Sequence, residues 1–185
     1  LGDVYKRQDG TLRVYDQNTG AVLTDTVVAP IEGLQRTDLY NVDGGWVWLR
    51  QYDNDDHEVT TGTVCGPNGT NKTLDLDAIK ARYGADFHGY LWPVTAAGGE
   101  FYLSVSYQGP GQNWLYDLID STGNVVLAGL GSCNGYYTDT ANPLPDGVFV
   151  ARKGFEYGWM DLHGQWVYCQ NIFYSSGDDA ENYYF

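Results

Sequence analysis

The sequence predicts an all-β protein built from antiparallel β-hairpin repeats, and three observations predict this fold class. The 185 residues include 24 Gly, 16 Tyr and 6 Trp but a single Met, a composition that favours strands and tight turns over helices. Apolar residues make up 43% and charged residues 18%, which is enough apolar side chain to fold. Similar Gly-containing segments also recur along the chain. We expect the hairpins to pack in a propeller-like or a solenoid-like array, between which the sequence does not choose.

Three predicted strands begin alike, with a Gly that follows a loop signal and precedes an apolar run. Side chains alternate between the two faces of a strand. We therefore expect one face of each strand to be core, and the rings on it to be buried and not a platform for ligands. The three starts are Gly45-Trp46-Val47-Trp48-Leu49-Arg50, Gly99-Glu100-Phe101-Tyr102-Leu103 and Gly147-Val148-Phe149-Val150-Ala151-Arg152, with Trp46/Trp48, Phe101/Leu103 and Val148/Val150 as the expected equivalent pairs.

A second Gly turn follows each start and predicts a hairpin. It comes 24 residues after Gly45 and 24 after Gly99, but 17 after Gly147, at Gly69, Gly123 and Gly164. An incomplete first copy runs from Leu12 to Leu23, contains Gly20 and parallels Leu118 to Leu127. Gly accepts the positive φ of a tight turn, and Asp caps its backbone amides. Asp120 and Asp161, each three residues before the Gly, are therefore predicted to form turns and not to catalyse.

These turns resemble the WG-repeat family, whose units join an aromatic-Gly pair to an Asp-x-x-Gly hairpin. The best copy runs from Gly147 to Tyr168 and contains Tyr157-Gly158-Trp159-Met160-Asp161-Leu162-His163-Gly164-Gln165-Trp166-Val167. In Trp114-Leu115-Tyr116-Asp117-Leu118-Ile119-Asp120-Ser121-Thr122-Gly123, Asp117 replaces the family's Gly, and the copy at Val64-Cys65-Gly66-Pro67-Asn68-Gly69 has lost the Asp. The resemblance covers nearly the whole chain. It implies a binding or scaffolding array and supplies no catalytic residues.

One segment departs from the β pattern and predicts a short helix near residues 75–83. Leu76, Ile79 and Tyr83 stand at helical spacing, with acidic residues early, basic residues late and Gly84 at the end. We expect the apolar stripe of this helix to cover the core of the repeats.

The chain is predicted to be a single repeat domain over residues 1–185. The expected units are approximately 9–40, 41–90, 95–140 and 144–174, with an acidic tail over 175–185. Residues 1–8 resemble translated sequencing-adapter sequence at the ends of metagenome-derived reading frames, so we expect them to be artefactual and the true start to be missing. An ordinary exposed first strand is the alternative.

The net charge of −14 argues against nucleic acid and anionic lipid as partners, because the long-range field repels both. No apolar run is long enough for membrane insertion. The three cysteines have no metal or redox spacing. We expect Cys65, Cys133 and Cys169 to be small buried residues, with one disulfide plus a free thiol as the alternative.

The sequence shows no catalytic motif, and we expect no enzyme activity, no cofactor and no metal. His57, His88 and His163 lie in separate predicted loops without a nucleophile elbow or a zinc-binding helix. The acidic run Asp53-Asn54-Asp55-Asp56-His57-Glu58 resembles a calcium loop superficially, but Glu58 and Val64 stand where such a loop needs Gly and Glu. A solvated loop tip is the expected structure there.

Aromatic residues beside Gly, Pro or Asp in predicted loops are the candidates for recognition, because rings stack on sugars and on apolar groups of a partner. The candidate ligand-binding residues are Trp92, Tyr107, Tyr136 and Tyr137. We expect a non-catalytic WG-like repeat module that mediates protein or ligand binding, with a protein or glycan partner that the sequence does not identify. The alternative is a carbohydrate-binding module of a cell-surface or secreted bacterial protein, and an extracellular or cell-envelope location is the expected one.

Overall fold

The computed structural model describes residues 2–6, 10–16, 19–28, 34–55, 57, 61–84, 89–135 and 144–171. These residues form four antiparallel sheets and a short α-helix, so the predicted all-β fold class and its one short helix are confirmed. In every sheet the strands pair in chain order, which requires only hairpin connections.

The first sheet has three strands and the other three sheets have four. The first sheet holds β1 (Gly2–Lys6), β2 (Thr11–Asp16) and β3 (Val22–Val27). The second holds β4 (Leu34–Val42), β5 (Trp46–Asp53), β6 (Thr61–Cys65) and β7 (Asn71–Asp75), and is followed by the helix α1 (Leu76–Ala81). The third holds β8 (Leu91–Ala97), β9 (Glu100–Gln108), β10 (Trp114–Asp120) and β11 (Val125–Leu130). The fourth holds β12 (Ser132–Asn134), β13 (Val148–Lys153), β14 (Glu156–Asp161) and β15 (Trp166–Asn171).

The sheets begin one strand earlier than the Gly starts that define the predicted units. β4 begins at Leu34, ahead of the unit predicted over 41–90, and pairs with β5 of the second sheet. β12 lies within the unit predicted over 95–140 but pairs with β13 of the fourth sheet. The Gly starts therefore mark the second strand of each four-stranded sheet.

The helix α1 begins where the sequence places an N-cap. The Asp75 side chain accepts a hydrogen bond of 2.9 Å from the Ala78 N–H, which satisfies one of the donors at the first turn. Leu76 and Ile79 are buried against the sheets, as the predicted apolar stripe requires. Among the helices of the described ranges, none has the length and apolar content to cross a membrane.

The sheets stack in chain order, and each junction between two sheets holds its own apolar core. Because the second and third sheets are covered on both faces, neighbouring residues of one strand enter different cores. Val47 packs toward the first sheet, whereas Trp46 and Trp48 pack toward the third. This explains why β5 reads as a continuous apolar run.

The equivalence between the strand faces differs by one residue from the prediction. Trp46 and Trp48 face the following sheet, whereas Phe101 and Leu103 share that same core from the other side. In the fourth sheet Phe149 and Ala151 face the preceding sheet, not Val148 and Val150. The side chains two and four residues after the starting Gly therefore face the preceding sheet. Those one and three residues after it face the other way. The prediction that Trp46, Trp48, Phe101 and Leu103 are core residues is confirmed, since all are at most 3% exposed.

The second Gly of each predicted unit lies in the last hairpin of its sheet, so the predicted equivalence of these turns is confirmed. Their φ angles are positive, where Gly carries no Cβ penalty. The values are +70° at Gly20, +70° at Gly69, +81° at Gly123 and +74° at Gly164.

The predicted turn role of Asp120 and Asp161 is confirmed by their hydrogen bonds. Asp161 Oδ1 accepts from the backbone N–H groups of His163 and Gln165 at 2.9 and 2.8 Å. Asp120 Oδ1 accepts from Thr122 and Asn124 at 2.8 and 2.9 Å in the same way. Each carboxylate thus satisfies two donors that the tight bend leaves without a backbone acceptor.

The second sheet forms the same hairpin with Gly66 where the third and fourth sheets have Asp. The Trp46 ring occupies the space that a side chain at this position would need. Gly66 N–H donates to Thr70 at 2.7 Å, as Asp161 N–H does to Gln165 at 3.0 Å. A Cβ atom on Gly66 would overlap the indole ring of Trp46. The φ of Gly66 is −127°, a value that any residue adopts, so the ring and not the backbone excludes a side chain here.

A charged contact joins the second and third sheets above this ring. Lys72 Nζ lies 2.5 Å from Glu100 Oε2 and 2.9 Å from Ser121 Oγ. The same ammonium is 5.6 Å from the centre of the Trp46 ring. The hydrogen bond from Lys72, followed by that from Ser121, lowers the pKa of Glu100 below its ordinary value of 4.5.

We expect Gly66→Ala to reduce the free energy of unfolding by about 1–3 kcal/mol, because the new methyl group must displace the Trp46 ring. The measurement is urea denaturation of the full chain. Gly69→Asn is the matched control: its φ is positive and nothing lies within 4 Å of its Cβ. Asn tolerates that conformation, so the control should lose less than about 1 kcal/mol. Equal losses in the two variants would contradict the packing of Trp46 on Gly66.

Acid should destabilise the protein through its hairpin carboxylates. Backbone hydrogen bonds, chiefly from His57, lower the pKa of Asp53 below 3.8. Burial acts to raise the pKa of Asp120, but hydrogen bonds from Thr122 and Asn124 lower it overall. A lowered folded-state pKa gives stability that is complete above the unfolded value and is lost as the pH falls through the folded value.

The free energy of unfolding should therefore decline as the pH falls below about 4. The double variant Asp53→Asn/Asp120→Asn should show a shallower decline in pH-dependent urea denaturation. Asp77→Asn, an exposed change in α1, is the control, and the double variant should show a shallower decline than this control does. An unchanged slope in the double variant would refute the contribution of these two turns.

Candidate functional site

A guanidinium group packed among aromatic rings lies where the second and third sheets meet. Trp48, Arg50 and Tyr52 occupy alternate positions of β5, so their side chains share one face of the strand. Arg50 is half-buried, whereas Trp48 is fully buried and Tyr52 is 9% exposed. The period of two along the strand is what collects these three side chains.

The rings surround the guanidinium at similar distances. Arg50 Cζ lies 5.7 Å from the ring centres of Trp48 and Tyr52 and 5.9 Å from that of Tyr40. Distances within about 6 Å are those at which a cation is attracted to the face of a ring. We call Tyr40, Trp48, Arg50, Tyr52 and Trp92 the Arg50 cluster.

Trp92 completes the cluster from the third sheet. Its ring centre lies 4.7 Å from that of Tyr40, at an interplanar angle of 66°, an edge-to-face arrangement favoured by the ring quadrupoles. Tyr40 is the cross-strand partner of Trp48 in the β4–β5 pair. Both Tyr40 and Trp92 are half-buried, so part of each ring reaches the surface.

Asp38 places a carboxylate on the strand next to Arg50. Asp38 of β4 lies directly opposite Arg50 of β5 in the antiparallel register, and side chains in such pairs are neighbours on one face. Asp38 is half-buried. The Arg50 cluster and Asp38 together offer a planar set of hydrogen-bond donors, a set of acceptors and aromatic rings on neighbouring strands.

The cluster also contains a donor without an acceptor. Trp48 Nε1 is buried and has no hydrogen-bond partner among the described residues. It lies over Gly62, where a Cβ would come within 2.9 Å of it. A buried donor left without a partner costs about 1–3 kcal/mol, so a hydroxyl group that reached it would be held favourably.

The structure separates the sequence-predicted candidates. Trp92 lies on β8 and Tyr107 on β9, so the expectation that they stand in loops is wrong. Trp92 belongs to the Arg50 cluster. Tyr107 is also half-buried, but its hydroxyl donates to Asp117 at 3.0 Å and its ring lies 4.8 Å from that of Tyr83. Tyr136 and Tyr137 lie outside the described residues. Arg50, Tyr40 and Asp38 were not predicted from the sequence, although the alternation Trp48-x-Arg50-x-Tyr52 on a predicted strand was a signal that could have indicated Arg50.

Tyr107 is part of a buried network around Asp117. Asp117 is 6% exposed, and it accepts from the Tyr83 hydroxyl at 3.0 Å and from the Gly129 N–H at 2.8 Å. Burial, followed by the nearby Asp117 charge, raises the pKa of Tyr83. The three donors satisfy a carboxylate that would otherwise be costly to bury.

The position of Asp117 corresponds to Gly158 of the fourth sheet, three residues before the turn Asp. A Cβ on Gly158 would overlap the Tyr168 backbone of β15. In the third sheet the β10–β11 register shifts beside Asp117, which makes room for a side chain. The departure from the repeat pattern is therefore accommodated by a local irregularity and by the hydrogen bond from Gly129.

A second aromatic surface lies on the fourth sheet. The Trp159 and Tyr168 ring centres are 5.4 Å apart, and Tyr157 and Tyr168 are 41% and 48% exposed. This surface lies on β14 and β15, whereas the Arg50 cluster lies on β4, β5 and β8. It therefore offers a control for aromatic binding away from the cluster.

The acidic run at Asp53 forms a further capped turn. Asp53 Oδ1 accepts from the backbone N–H groups of Asp55 and His57, both at 2.9 Å. Asp56 and Glu58 lie outside the described residues. Within the described ranges, no group of three or more His, Cys, Asp or Glu side chains is placed to hold a metal ion. His163 is exposed at a hairpin, and His88 is outside those ranges.

The cysteines are unpaired thiols and differ in burial. Cys65 and Cys133 are buried, as expected, but Cys169 is exposed on β15, so the expectation of a buried residue is wrong there. Burial raises the pKa of Cys65 to about 11 and also raises that of Cys133. These two thiols are therefore poor nucleophiles at neutral pH.

Comparison with known proteins gives one family. A family model described as "Domain of unknown function (DUF5046)" matches residues 3–179. No curated protein and no solved structure matches the chain.

The Asp117 network predicts that Tyr107 stabilises the fold. Tyr107→Phe should lower the free energy of unfolding by about 1 kcal/mol, the net value of one hydrogen bond. Asp117→Ala should lower it by about 2–4 kcal/mol, because three donors lose their acceptor. Urea denaturation measures both, and Trp114→Phe at a 42% exposed position is the control. A Tyr107→Phe protein as stable as the wild type would show that the hydroxyl does not serve the fold.

Proposed function

The chain belongs to the family described as "Domain of unknown function (DUF5046)", and we propose that it acts as a non-catalytic repeat module that binds a protein or a small ligand. The observation that carries this proposal is the Arg50 cluster. A guanidinium held within 6 Å of three ring centres, bordered by the half-buried Trp92, supplies stacking and hydrogen bonding. These are the means of recognition at binding surfaces.

The use of the carboxylates supports a non-catalytic role. Asp53, Asp120 and Asp161 accept hydrogen bonds from turn amides. Asp75 caps the helix, and Asp117 is satisfied by three donors. A hydrolase of the glycoside type needs two carboxyl groups facing one another across a cleft, and these five groups serve turns, a cap and a buried network instead.

We also propose that the four sheets form a propeller-like or solenoid-like array related to WG repeats. Successive packing of sheets through separate cores supports this. So does the contact of β8, the first strand of the third sheet, with β4 and β12, the first strands of its neighbours. The Tyr157-Gly158-Trp159 sequence before the Asp161 hairpin supports the relation to WG repeats.

A carbohydrate is the second candidate for the partner, and the composition of the cluster favours it. Rings, a guanidinium and a carboxylate next to one another match the apolar faces and hydroxyl groups of sugars. An extracellular or cell-envelope location and a bacterial source agree with that role and are part of the same proposal.

Binding without conversion is the expected outcome of a direct test. The full chain is applied to glycan and peptide arrays with calcium present, and each bound compound is then incubated with the protein for a day. We expect at least one ligand, recovered with unchanged mass, whose binding falls at least tenfold in Trp92→Ala and less than twofold in Tyr168→Ala. Conversion of a ligand that stops when one acidic residue is replaced would overturn the non-catalytic role.

A further inference from the structure

We propose that Asp38, Tyr40, Arg50 and Trp92 form a subsite for one neutral pyranose ring of a glycan. This inference rests on the proposed binding function and names its site and its ligand class. The four residues come from three strands, β4, β5 and β8, of two sheets. A ligand at this place would therefore contact both sheets at their junction.

The geometry supplies the two kinds of contact that a sugar ring needs. One face of a pyranose ring carries C–H groups that pack on an indole or phenol ring, and its rim carries hydroxyl groups that both donate and accept. Trp92 and Tyr40, with ring centres 4.7 Å apart, provide the rings. Arg50 carries five N–H donors, and Asp38, its partner on the opposing strand, carries two acceptor oxygens, so both groups can share hydrogen bonds with a ligand.

The charge of the chain selects a neutral sugar over an acidic one. The chain has 24 acidic and 10 basic residues, a net charge of −14, and its long-range field repels anions. Inside the subsite, the Asp38 carboxylate offsets the Arg50 charge. A uronate or a sialylated glycan would be repelled by the net negative charge of the chain and by the Asp38 carboxylate, whereas a neutral hexose would not.

Trp48 lies beneath the subsite. Its ring is fully buried and its Nε1 lies against Gly62, so we do not expect the sugar to touch it. Its ring centre lies 5.7 Å from Arg50 Cζ and 6.2 Å from that of Tyr40. The indole N–H signal of Trp48 should therefore report changes in these two contacts when the subsite is occupied.

The test follows the indole N–H signals of the six tryptophans by proton–nitrogen correlation spectroscopy. Each signal is assigned with a single Trp→Phe variant. The intact chain is titrated with cellotetraose, mannotetraose and chitotetraose, and separately with tetragalacturonate and an acidic pentapeptide. We expect at least one neutral tetrasaccharide to shift the Trp92 and Trp48 signals and to leave those of Trp159 and Trp166 in place.

Variants separate the subsite from general ring stacking. Trp92→Ala and Asp38→Asn should each weaken binding of that saccharide at least tenfold, and Arg50→Lys should weaken it about fivefold because Lys lacks the planar fork of donors. Tyr168→Ala, on the fourth sheet, should change affinity less than twofold. Circular dichroism and thermal unfolding verify that each variant is folded. Asp38→Asn preserves size, so it remains informative if Trp92→Ala unfolds.

Three outcomes would overturn the subsite. They are no shift with any neutral saccharide, shifts centred on Trp159, and binding of tetragalacturonate or the peptide alone. The proposed function would survive each of them if the arrays still identify a ligand that is bound and not converted. It would fail separately if a ligand were turned over.

Discussion

The stacking of thin sheets on both faces is the constraint on which the rest of the structure depends. A sheet of three or four strands buries too little surface alone, so each must cover its neighbour. In the second and third sheets adjacent residues of one strand therefore enter different cores, as Val64 and Cys65 do. An interior strand is then apolar at successive positions, as β5 is from Trp46 to Leu49, and a polar side chain buried on such a strand, such as Asp117, needs its own hydrogen-bond partners. The Arg50 cluster lies at the junction of the second and third sheets.

The hairpins that connect the strands account for the repeated Gly and Asp residues in the sequence. A tight bend needs a residue with positive φ and an acceptor for its free amides, which Gly and Asp provide. The chain uses the same capped turn at Asp53, Asp120 and Asp161, so part of its acidity is a consequence of how it turns. Where Trp46 covers Gly66, the backbone bend persists without the carboxylate. The bend is therefore the conserved element of the repeat within this chain, and the Asp is one way to support it.

The features of this fold that depend on only a few neighbouring residues were predicted from the sequence. The Gly turns, the Asp caps and the helix at Leu76 follow from backbone geometry within a few residues, and the sequence was sufficient for them. The strand that opens each sheet, such as β12, carries no turn signal of its own and was missed. The prediction that Trp46 and Phe101 occupy equivalent strand faces was wrong by one residue. A strand buried on both faces has no polar side that shows which residues face which core. Trp92 was predicted because it is an aromatic residue beside Pro93, but Arg50 was not predicted. The partners of Arg50, Tyr40 and Asp38, come from a neighbouring strand, and only the strand register shows that they lie next to it.

Comparison of equivalent positions shows why one junction differs from the others. The fifth residue after the starting Gly is Arg50 in the second sheet, Ser104 in the third and Arg152 in the fourth. Ser104 Oγ lies 3.5 Å from the Trp92 carbonyl oxygen on β8, and Arg152 donates to the Gly131 carbonyl, between β11 and β12, at 3.3 Å. Both side chains therefore contact backbone atoms. Arg50 is placed among rings because the residues two before and two after it on β5 are Trp48 and Tyr52, where the third sheet has Tyr102 and Ser106 and the fourth has Val150 and Gly154. A scaffold that repeats its backbone can change one position at low cost, since the turns and cores elsewhere hold the fold. The place where the side chains depart from the shared pattern, while the backbone keeps it, is the place where a binding function can evolve without loss of the array.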